Sequence, residues 1–243
     1  SNSTRRINMQ ALILAAGRGT RISRYLEGNP KCTVDIGGKP LIKYTVELLR
    51  SKGIKKICLV VGYQHQVIEK VLKDEDVEFY YNPFFDVTNS IGSAWFARDY
   101  LNNNDDLLVM NADVFVEPSV IDILLEEKRS PVLLGDDRRK EEADYKLKYT
   151  NGILEKYGKE LKGDDITGEY VGIAKMSKDY IPTFKTQLEK MIGEQKHSVW
   201  WENVLYELSE KQNIHVLNVG NRFWAEVDYI EDYERIQAFV KNS

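Results

Sequence analysis

The stretch Ala11-Leu12-Ile13-Leu14-Ala15-Ala16-Gly17-Arg18-Gly19-Thr20-Arg21, followed by Pro30-Lys31, decides how this chain is interpreted. Its first residues form an apolar run that is typical of a buried strand. The run leads into a loop with two glycines and two arginines. Such a loop presents backbone N–H groups and fixed positive charge at the edge of a sheet, which is the environment that a polyphosphate needs. The glycine spacing is neither G-x-G-x-x-G nor a Walker A loop, which counts against a dinucleotide-binding fold and a P-loop ATPase.

The charge of the chain is slightly acidic overall but basic around this loop. The formal net charge is -4, whereas proteins that bind nucleic acid usually carry a basic excess, so no nucleic-acid partner is expected. Locally the balance is reversed between residues 16 and 43, where the basic residues Arg18, Arg21, Arg24, Lys31, Lys39 and Lys43 face only Glu27 and Asp35. This concentration of positive charge indicates an anionic ligand at the glycine loop.

The order of apolar and polar segments predicts an α/β protein. The first half alternates strand and helix patterns, which indicates a mostly parallel, Rossmann-like mixed sheet flanked by helices. The second half predicts a β-hairpin, with strands at 145–150 and 153–157 and a type I′ turn at Asn151-Gly152. We predict one domain over residues 9–243, with a small substrate-side lobe at about 135–198. Residues 1–8 are interpreted as a tag remnant or disordered arm.

The sequence also predicts where the protein resides. It has two cysteines without metal-binding spacing, Cys32 and Cys58, and no apolar run of membrane-spanning length or recognisable signal peptide. We therefore expect a cytoplasmic protein with reduced thiols and no membrane partner. A homodimer is one assembly compatible with the sequence.

Two aspartates are candidate metal ligands. Asp113 follows the apolar run at 107–110, and Asp228 follows a short predicted strand at 223–227. Ligands of open α/β sheets bind beyond the carboxyl ends of strands, so these carboxylates can meet at one edge. Two carboxylates with phosphate oxygens and water suit Mg²⁺. The alternatives are a loop or helix-capping aspartate at 113 and a capping box of Asp228 with Glu231.

A group of aromatic and acidic residues is the candidate substrate-binding set. An aromatic wall with a carboxylate binds ammonium or quaternary ammonium groups. The alternative is that the tryptophans belong to the core, which is expected for one of the adjacent pair Trp200-Trp201 because neighbours on a helix point in different directions. The candidates are Tyr145, Trp200, Trp201, Glu202, Trp224 and Glu226.

The glycine loop has a wider resemblance. The segments at 14–21 and 30–31, extended by Gly37-Gly38-Lys39-Pro40-Leu41-Ile42, resemble the signature of the nucleotidyltransferases that activate sugar phosphates and aminoalcohol phosphates. The resemblance implies that the 16–21 backbone and Arg18 bind the β- and γ-phosphates, that Lys31 reaches the α-phosphate, and that Asp113 and Asp228 bind Mg²⁺. It makes Lys31 and Arg18 the catalytic candidates. The implied nucleotide-binding residues are Leu14, Ala16, Gly17, Arg18, Gly19, Thr20, Arg21, Lys31, Asn82, Ser90 and Asn111.

One branch of that family is the most similar. The run Trp200-Trp201-Glu202-Asn203, the segment at 167–174 (TGEYVGIA) and Thr88-Asn89-Ser90 resemble the cytidylyltransferases that act on phosphocholine or 2-aminoethylphosphonate. The resemblance implies an enzyme that transfers CMP from CTP to an amine-bearing phosphate or phosphonate and releases pyrophosphate. The alternatives are a sugar-1-phosphate nucleotidylyltransferase, which is disfavoured because no G-x-G-T sugar motif is present, and a catalytically silent nucleotide-binding regulator.

Overall fold

The computed structural model describes residues 8–19 and 21–243. Residues 1–7 of the predicted arm and the predicted phosphate-loop residue Thr20 lie outside the described residues. The strands are β1 (Met9–Ala15), β2 (Lys56–Val61), β3 (Glu78–Tyr81), β4 (Asp106–Asn111), β5 (Val114–Val116), β6 (Val132–Asp136), β7 (Lys146–Thr150), β8 (Ile153–Gly158), β9 (Gly168–Met176), β10 (His215–Asn218) and β11 (Trp224–Glu226). The α-helices are α1 (Ser23–Leu26), α2 (Leu41–Ser51), α3 (His65–Val71), α4 (Ser90–Phe96), α5 (Pro118–Glu126), α6 (Ile181–Gly193), α7 (Asn203–Leu208) and α8 (Ile230–Lys241).

The main sheet has nine strands in the order β3-β2-β1-β4-β9-β6-β10-β8-β7. The pairs β3–β2, β2–β1 and β1–β4 are parallel, as the alternating sequence pattern predicts. Strand β9 runs antiparallel to both β4 and β6, so the second half of the sheet is mostly antiparallel. The predicted α/β class with a mixed sheet flanked by helices is therefore confirmed.

Both faces of the sheet are covered, which explains why β1 is apolar throughout. All seven residues of β1 are buried. Leu12 and Leu14 belong to the core on one face, and Ala11 and Ile13 belong to the core on the other. Neighbouring residues of a strand point to opposite faces, so a strand between two helical layers must be apolar at every position.

The hairpin and the cysteines agree with the sequence predictions. Strands β7 and β8 pair antiparallel, and Asn151 and Gly152 have φ values of 52° and 72°. Positive φ at both central residues is the requirement of a type I′ turn. Cys32 and Cys58 are free and buried. None of the described helices has the length and apolar character needed to span a bilayer.

A second, two-stranded sheet positions the candidate metal ligands. Strands β5 and β11 pair antiparallel, with Glu226 opposite Val114. The pairing continues past the strands, because the Val227 N–H donates a hydrogen bond of 2.8 Å to the carbonyl oxygen of Asp113. Residues 113 and 228, which are 115 positions apart in the chain, are thereby held beside each other.

Candidate active site

A cavity of about 370 Å³ opens at the carboxyl ends of β1 and β4. One wall is formed by the end of β1 and the loop that follows it, from Leu14 to Gly19. The opposite wall includes Asn111, Asp113 and Glu226. This edge of a parallel sheet is where α/β folds bind their ligands. The cavity therefore occupies the position that the glycine-loop motif predicts.

The glycine loop packs directly on the candidate catalytic lysine. Gly19 has a φ of 66°, and a Cβ atom built on it would lie 2.5 Å from the Lys31 Cε atom. No side chain fits at that distance, so position 19 requires glycine both for its backbone conformation and for the space that Lys31 occupies. Arg18 also lines the cavity, with its guanidinium carbon 5.3 Å from the centre of the Tyr63 ring.

Lys31 lies between the two aspartates. It begins a short 3-10 helix at Lys31–Thr33, and its Nζ atom lies 3.6 Å from Asp113 Oδ2 and 3.3 Å from Asp228 Oδ1. Burial works against the charged form of Lys31, but the carboxylates of Asp113 and Asp228 outweigh it and raise the pKa of the lysine above its ordinary value. Lys31 therefore stays positively charged at the centre of the cavity.

Three acidic side chains, Asp113, Asp228 and Glu226, lie close to Lys31. Burial raises the pKa of Asp113 in spite of Lys31, and burial together with Asp113 raises the pKa of Glu226 well above its ordinary value. Arg21 is ion-paired with Asp228 and does not line the cavity, whereas the resemblance implies that it binds the nucleotide. The charges around the cavity therefore favour the binding of an additional cation.

The donor set fits magnesium in a particular way. Among the described residues no group of three or more His, Cys, Asp and Glu side chains forms a metal site by itself. Asp113 and Asp228 supply two carboxylates, and Mg²⁺ commonly takes only one or two protein carboxylates and fills its other positions with phosphate oxygens and water. The residues present therefore fit a Mg²⁺ ion whose remaining coordination positions are filled by the substrate and water.

Residues of the loop from 82 to 90 form another side of the cavity. Asn82 is buried and donates hydrogen bonds of 3.1 Å to Thr88 Oγ1 and 3.0 Å to Ser93 Oγ. Asn82 itself lines the cavity, as does Ser90, and these bonds fix the position of the loop between them. Sequence reasoning missed several lining residues, although the Thr88-Asn89-Ser90 segment points to them; they are Phe85, Thr88, Asn89 and Ser93.

The two adjacent tryptophans have different positions, as predicted, but they precede helix α7 and do not lie on a helix, so the helical reason for the prediction is wrong. Trp200 lines the cavity. Trp201 is fully buried, and its Nε1 atom donates a 2.9 Å hydrogen bond to Asn111 Oδ1. Asn111 in turn donates a 3.0 Å hydrogen bond to Glu202 Oε2. Trp201 and Glu202 do not line the cavity, so the structure gives them a position behind Asn111, where they orient its amide.

The remaining substrate-binding candidates are spread over two places. Tyr145 packs with its ring at 86° to that of Trp200, at a centroid distance of 5.3 Å. Trp224 is buried, and its Nε1 atom donates a 2.7 Å hydrogen bond to the carboxylate of Asp136, which Arg138 also contacts. This bond makes Trp224 a link between β11 and β6. Glu226 borders the cavity beside Asp113.

Comparison with known proteins agrees with this fold. Residues 11–203 match the family of MobA-like NTP transferase domains. The chain therefore belongs to this family, and the cavity at its glycine loop lies within a nucleotidyltransferase domain. The match includes Lys31 and Asp113 and ends before Asp228.

Several full-length relatives are cytidylyltransferases. The chain is 28% identical to the CTP:phosphoglutamine cytidylyltransferase of Campylobacter jejuni, over 93% of this chain and 98% of that protein. It is 25% identical to the choline-phosphate cytidylyltransferase of Streptococcus pneumoniae, over 96% of this chain and 99% of that protein. These relatives confirm the resemblance to the cytidylyltransferase branch, and their names differ in the acceptor.

Solved structures confirm the fold. The CTP:phosphocholine cytidylyltransferase of Streptococcus pneumoniae superposes with a TM-score of 0.80 and 21% identity, covering 96% of this chain and 100% of that one. The inositol-1-phosphate CTP transferase of T. maritima gives a TM-score of 0.81 at 20% identity, covering 98% of each chain.

Proposed function

We propose that this protein is a cytidylyltransferase that transfers CMP from CTP to a small amine-bearing phosphate or phosphonate and releases pyrophosphate. The observation that carries the proposal is the position of Lys31, which lies between Asp113 and Asp228 and packs on Gly19 at the floor of the cavity. The names of the full-length relatives support CTP as the donor.

The proposed reaction needs little covalent chemistry from the protein. An oxygen of the acceptor phosphate attacks the α-phosphorus of CTP, a new P–O bond forms, and the bond to the β-phosphate breaks so that pyrophosphate leaves with the electron pair. The attacking oxygen is already anionic near neutral pH, so no general base is required. What remains is to hold two mutually repelling anions in line and to neutralise the charge that develops.

The described residues supply those functions. Backbone N–H groups of the loop at 16–19 and the Arg18 guanidinium are placed to bind the β- and γ-phosphates. Lys31 stabilises the charge that develops on the α-phosphate oxygens. Asp113 and Asp228 would hold Mg²⁺, which when bound supplies positive charge and orients phosphate oxygens. In this proposal Arg21 acts through Asp228, whose orientation it maintains.

The test is a matrix of pyrophosphate-release measurements. Four nucleoside triphosphates are combined with phosphocholine, phosphoethanolamine, 2-aminoethylphosphonate, phosphoglutamine and glucose 1-phosphate, in the presence of Mg²⁺. We expect CTP with at least one amine-bearing acceptor to give the highest rate. A higher rate with glucose 1-phosphate than with every amine-bearing acceptor would contradict the proposal and favour the sugar alternative.

A further inference from the structure

A second cavity adjoins the candidate active site on its far side. It measures about 270 Å³, and Glu226 lines both cavities. Asp228 lines the second cavity while its carboxylate contacts Lys31 in the first. The space behind the reaction centre is therefore bordered by the same residues, and an acceptor bound there keeps its phosphate end close to Lys31.

Carboxyl groups without cationic partners among the described residues line the wall of this second cavity. Asp144, Glu169 and Glu226 line it, and within residues 8–19 and 21–243 none of the three has a cationic partner within 4.0 Å. Two arginines also line it, Arg139 and Arg235, but each is ion-paired with an acid of its own segment, Glu142 and Asp232 respectively. The wall consequently favours a bound cation.

Glu169 lines the second cavity and has one carboxylate oxygen without a hydrogen-bond donor in the described structure. Its side chain is 6% exposed, and Oε2 accepts a 3.2 Å hydrogen bond from the Asp144 N–H. Its Oε1 atom has no hydrogen-bond partner within the described part of the chain. Burial raises the pKa of Glu169 to about 7 in spite of the nearby Arg139. A carboxylate oxygen that faces a cavity without a protein partner can accept a hydrogen bond from a ligand that donates an N–H to it.

Trp200, an aromatic residue of the first cavity, is already in contact with its neighbours. The Lys159 ammonium lies 5.1 Å from the centre of the Trp200 ring, and Tyr145 packs edge-on against the same ring. Tyr145 is itself stacked on Tyr206 at 5.3 Å and 9°. A quaternary ammonium needs exposed aromatic faces because it has no N–H to donate. At Trp200 it would meet the positive charge of Lys159.

We propose that the acceptor carries a primary ammonium group, which enters the second cavity and donates hydrogen bonds to the carboxylates of Glu169 and Glu226. This inference rests on the proposed function and names its substrate class. It separates primary-amine acceptors from quaternary ones, both of which occur in the names of the relatives, since glutamine has a primary amine and choline a quaternary one.

The test uses acceptors that differ only in N-methylation. Three pairs are compared with CTP: phosphoethanolamine with phosphocholine, 2-aminoethylphosphonate with its N-trimethyl derivative, and phosphoglutamine with its Nα-trimethyl derivative. We expect kcat/KM in the best pair to favour the primary amine at least about tenfold, the loss typical of one unsatisfied charged hydrogen-bonding group. In Glu169→Gln this ratio should fall towards one because KM for the primary amine rises, while KM for CTP stays unchanged. Glu189→Gln, on the exposed face of α6, is the matched control and should keep the wild-type ratio.

The outcomes separate the two proposals. Turnover that is equal or faster with the quaternary member of the best pair overturns this inference and leaves the proposed function standing. A Glu169→Gln variant that slows both members equally also overturns it, because the residue would then be merely structural. If none of the six acceptors supports pyrophosphate release from CTP, the proposed function itself fails and this inference fails with it.

Discussion

Among single residues, the proposed catalysis depends most on the ammonium group of Lys31. Its Nζ atom lies within 3.6 Å of carboxylates from Asp113 and Asp228, so its position is fixed before a substrate arrives. A preorganised charge stabilises a developing anion without reorganisation at the moment of reaction. Lys31 is therefore expected to act mainly on turnover and less on the binding of CTP.

Replacing this lysine tests that distinction. We predict that Lys31→Ala lowers kcat by about 100- to 1,000-fold, the range typical for removal of one preorganised donor. KM for CTP should change by much less. Steady-state pyrophosphate release measures both constants, and Lys211→Ala, an exposed lysine on the turn after α7, is the control. A kcat within threefold of the wild-type value would remove Lys31 from the catalytic role.

Gly19 offers a second test at this scale. We predict that Gly19→Ala lowers kcat/KM by about tenfold or more, because the new methyl group displaces Lys31 and a small misplacement of a catalytic group is costly. Gly163→Ala is a matched control, since Gly163 also has a positive φ, of 58°, but a Cβ there would meet nothing within 4 Å. Both variants should lose about 1 kcal/mol of stability from backbone strain. Equal activity in the two variants would contradict the packing argument.

At the scale of elements, the β5–β11 pairing and the bond from β11 to β6 keep Asp228 near Asp113. The link to β6 is the hydrogen bond from Trp224 Nε1 to Asp136. We predict that Trp224→Phe lowers the free energy of unfolding by about 1–3 kcal/mol, because the buried Asp136 loses a donor. Urea unfolding measures the change. Trp95→Phe is the control, because no hydrogen bond from the Trp95 indole is present in the described structure, and an equal loss in both variants would show that the hydrogen bond contributes nothing.

Glu202, just before α7, accepts a hydrogen bond from Asn111 at the end of β4, and its burial predicts that stability depends on pH. Burial is the main cause that raises the pKa of Glu202 to about 7, from an ordinary value of 4.5. The folded state therefore binds an additional proton between these pH values, and stability falls as pH rises from about 4.5 to 7. In Glu202→Gln this contribution is absent.

We predict that the stability of Glu202→Gln relative to wild type increases with pH. Relative to wild type, Glu202→Gln should become more stable by about 1–3 kcal/mol between pH 5 and pH 8, since one pKa unit corresponds to about 1.4 kcal/mol. Urea unfolding at the two pH values measures it, with Glu189→Gln, an exposed acid on α6, as the control. A difference between variant and wild type that does not change with pH would contradict the assignment.

At the scale of the whole molecule, local signals in the sequence account for most of the fold. The apolar run of β1, the type I′ turn at Asn151-Gly152 and the alternation of the first half depend on residues close together in the chain. Strand β9 lies antiparallel between β4 and β6, and local patterns did not predict this position. The apolar sequence of a buried strand does not indicate whether its neighbours run parallel or antiparallel to it.

The sequence predicted the motif residues of the site but not the long-range pairs that surround them. The motif places Gly19 and Lys31 correctly at the cavity, and the suggestion that one of the adjacent tryptophans belongs to the core holds for Trp201. The pairing of Arg21 with Asp228 and the bond of Trp224 to Asp136 follow from tertiary packing. Both partners of each pair are distant in sequence, so spacing contains no information about them.

The most direct test of the central claim is a crystal structure of the protein with CTP and Mn²⁺ as a stand-in for Mg²⁺, with the metal located from its anomalous signal. We predict an anomalous peak in contact with the carboxylates of Asp113 and Asp228, with the triphosphate on the loop at 16–19 and the α-phosphate next to Lys31. A nucleotide bound elsewhere, or a metal that contacts neither aspartate, would contradict the account.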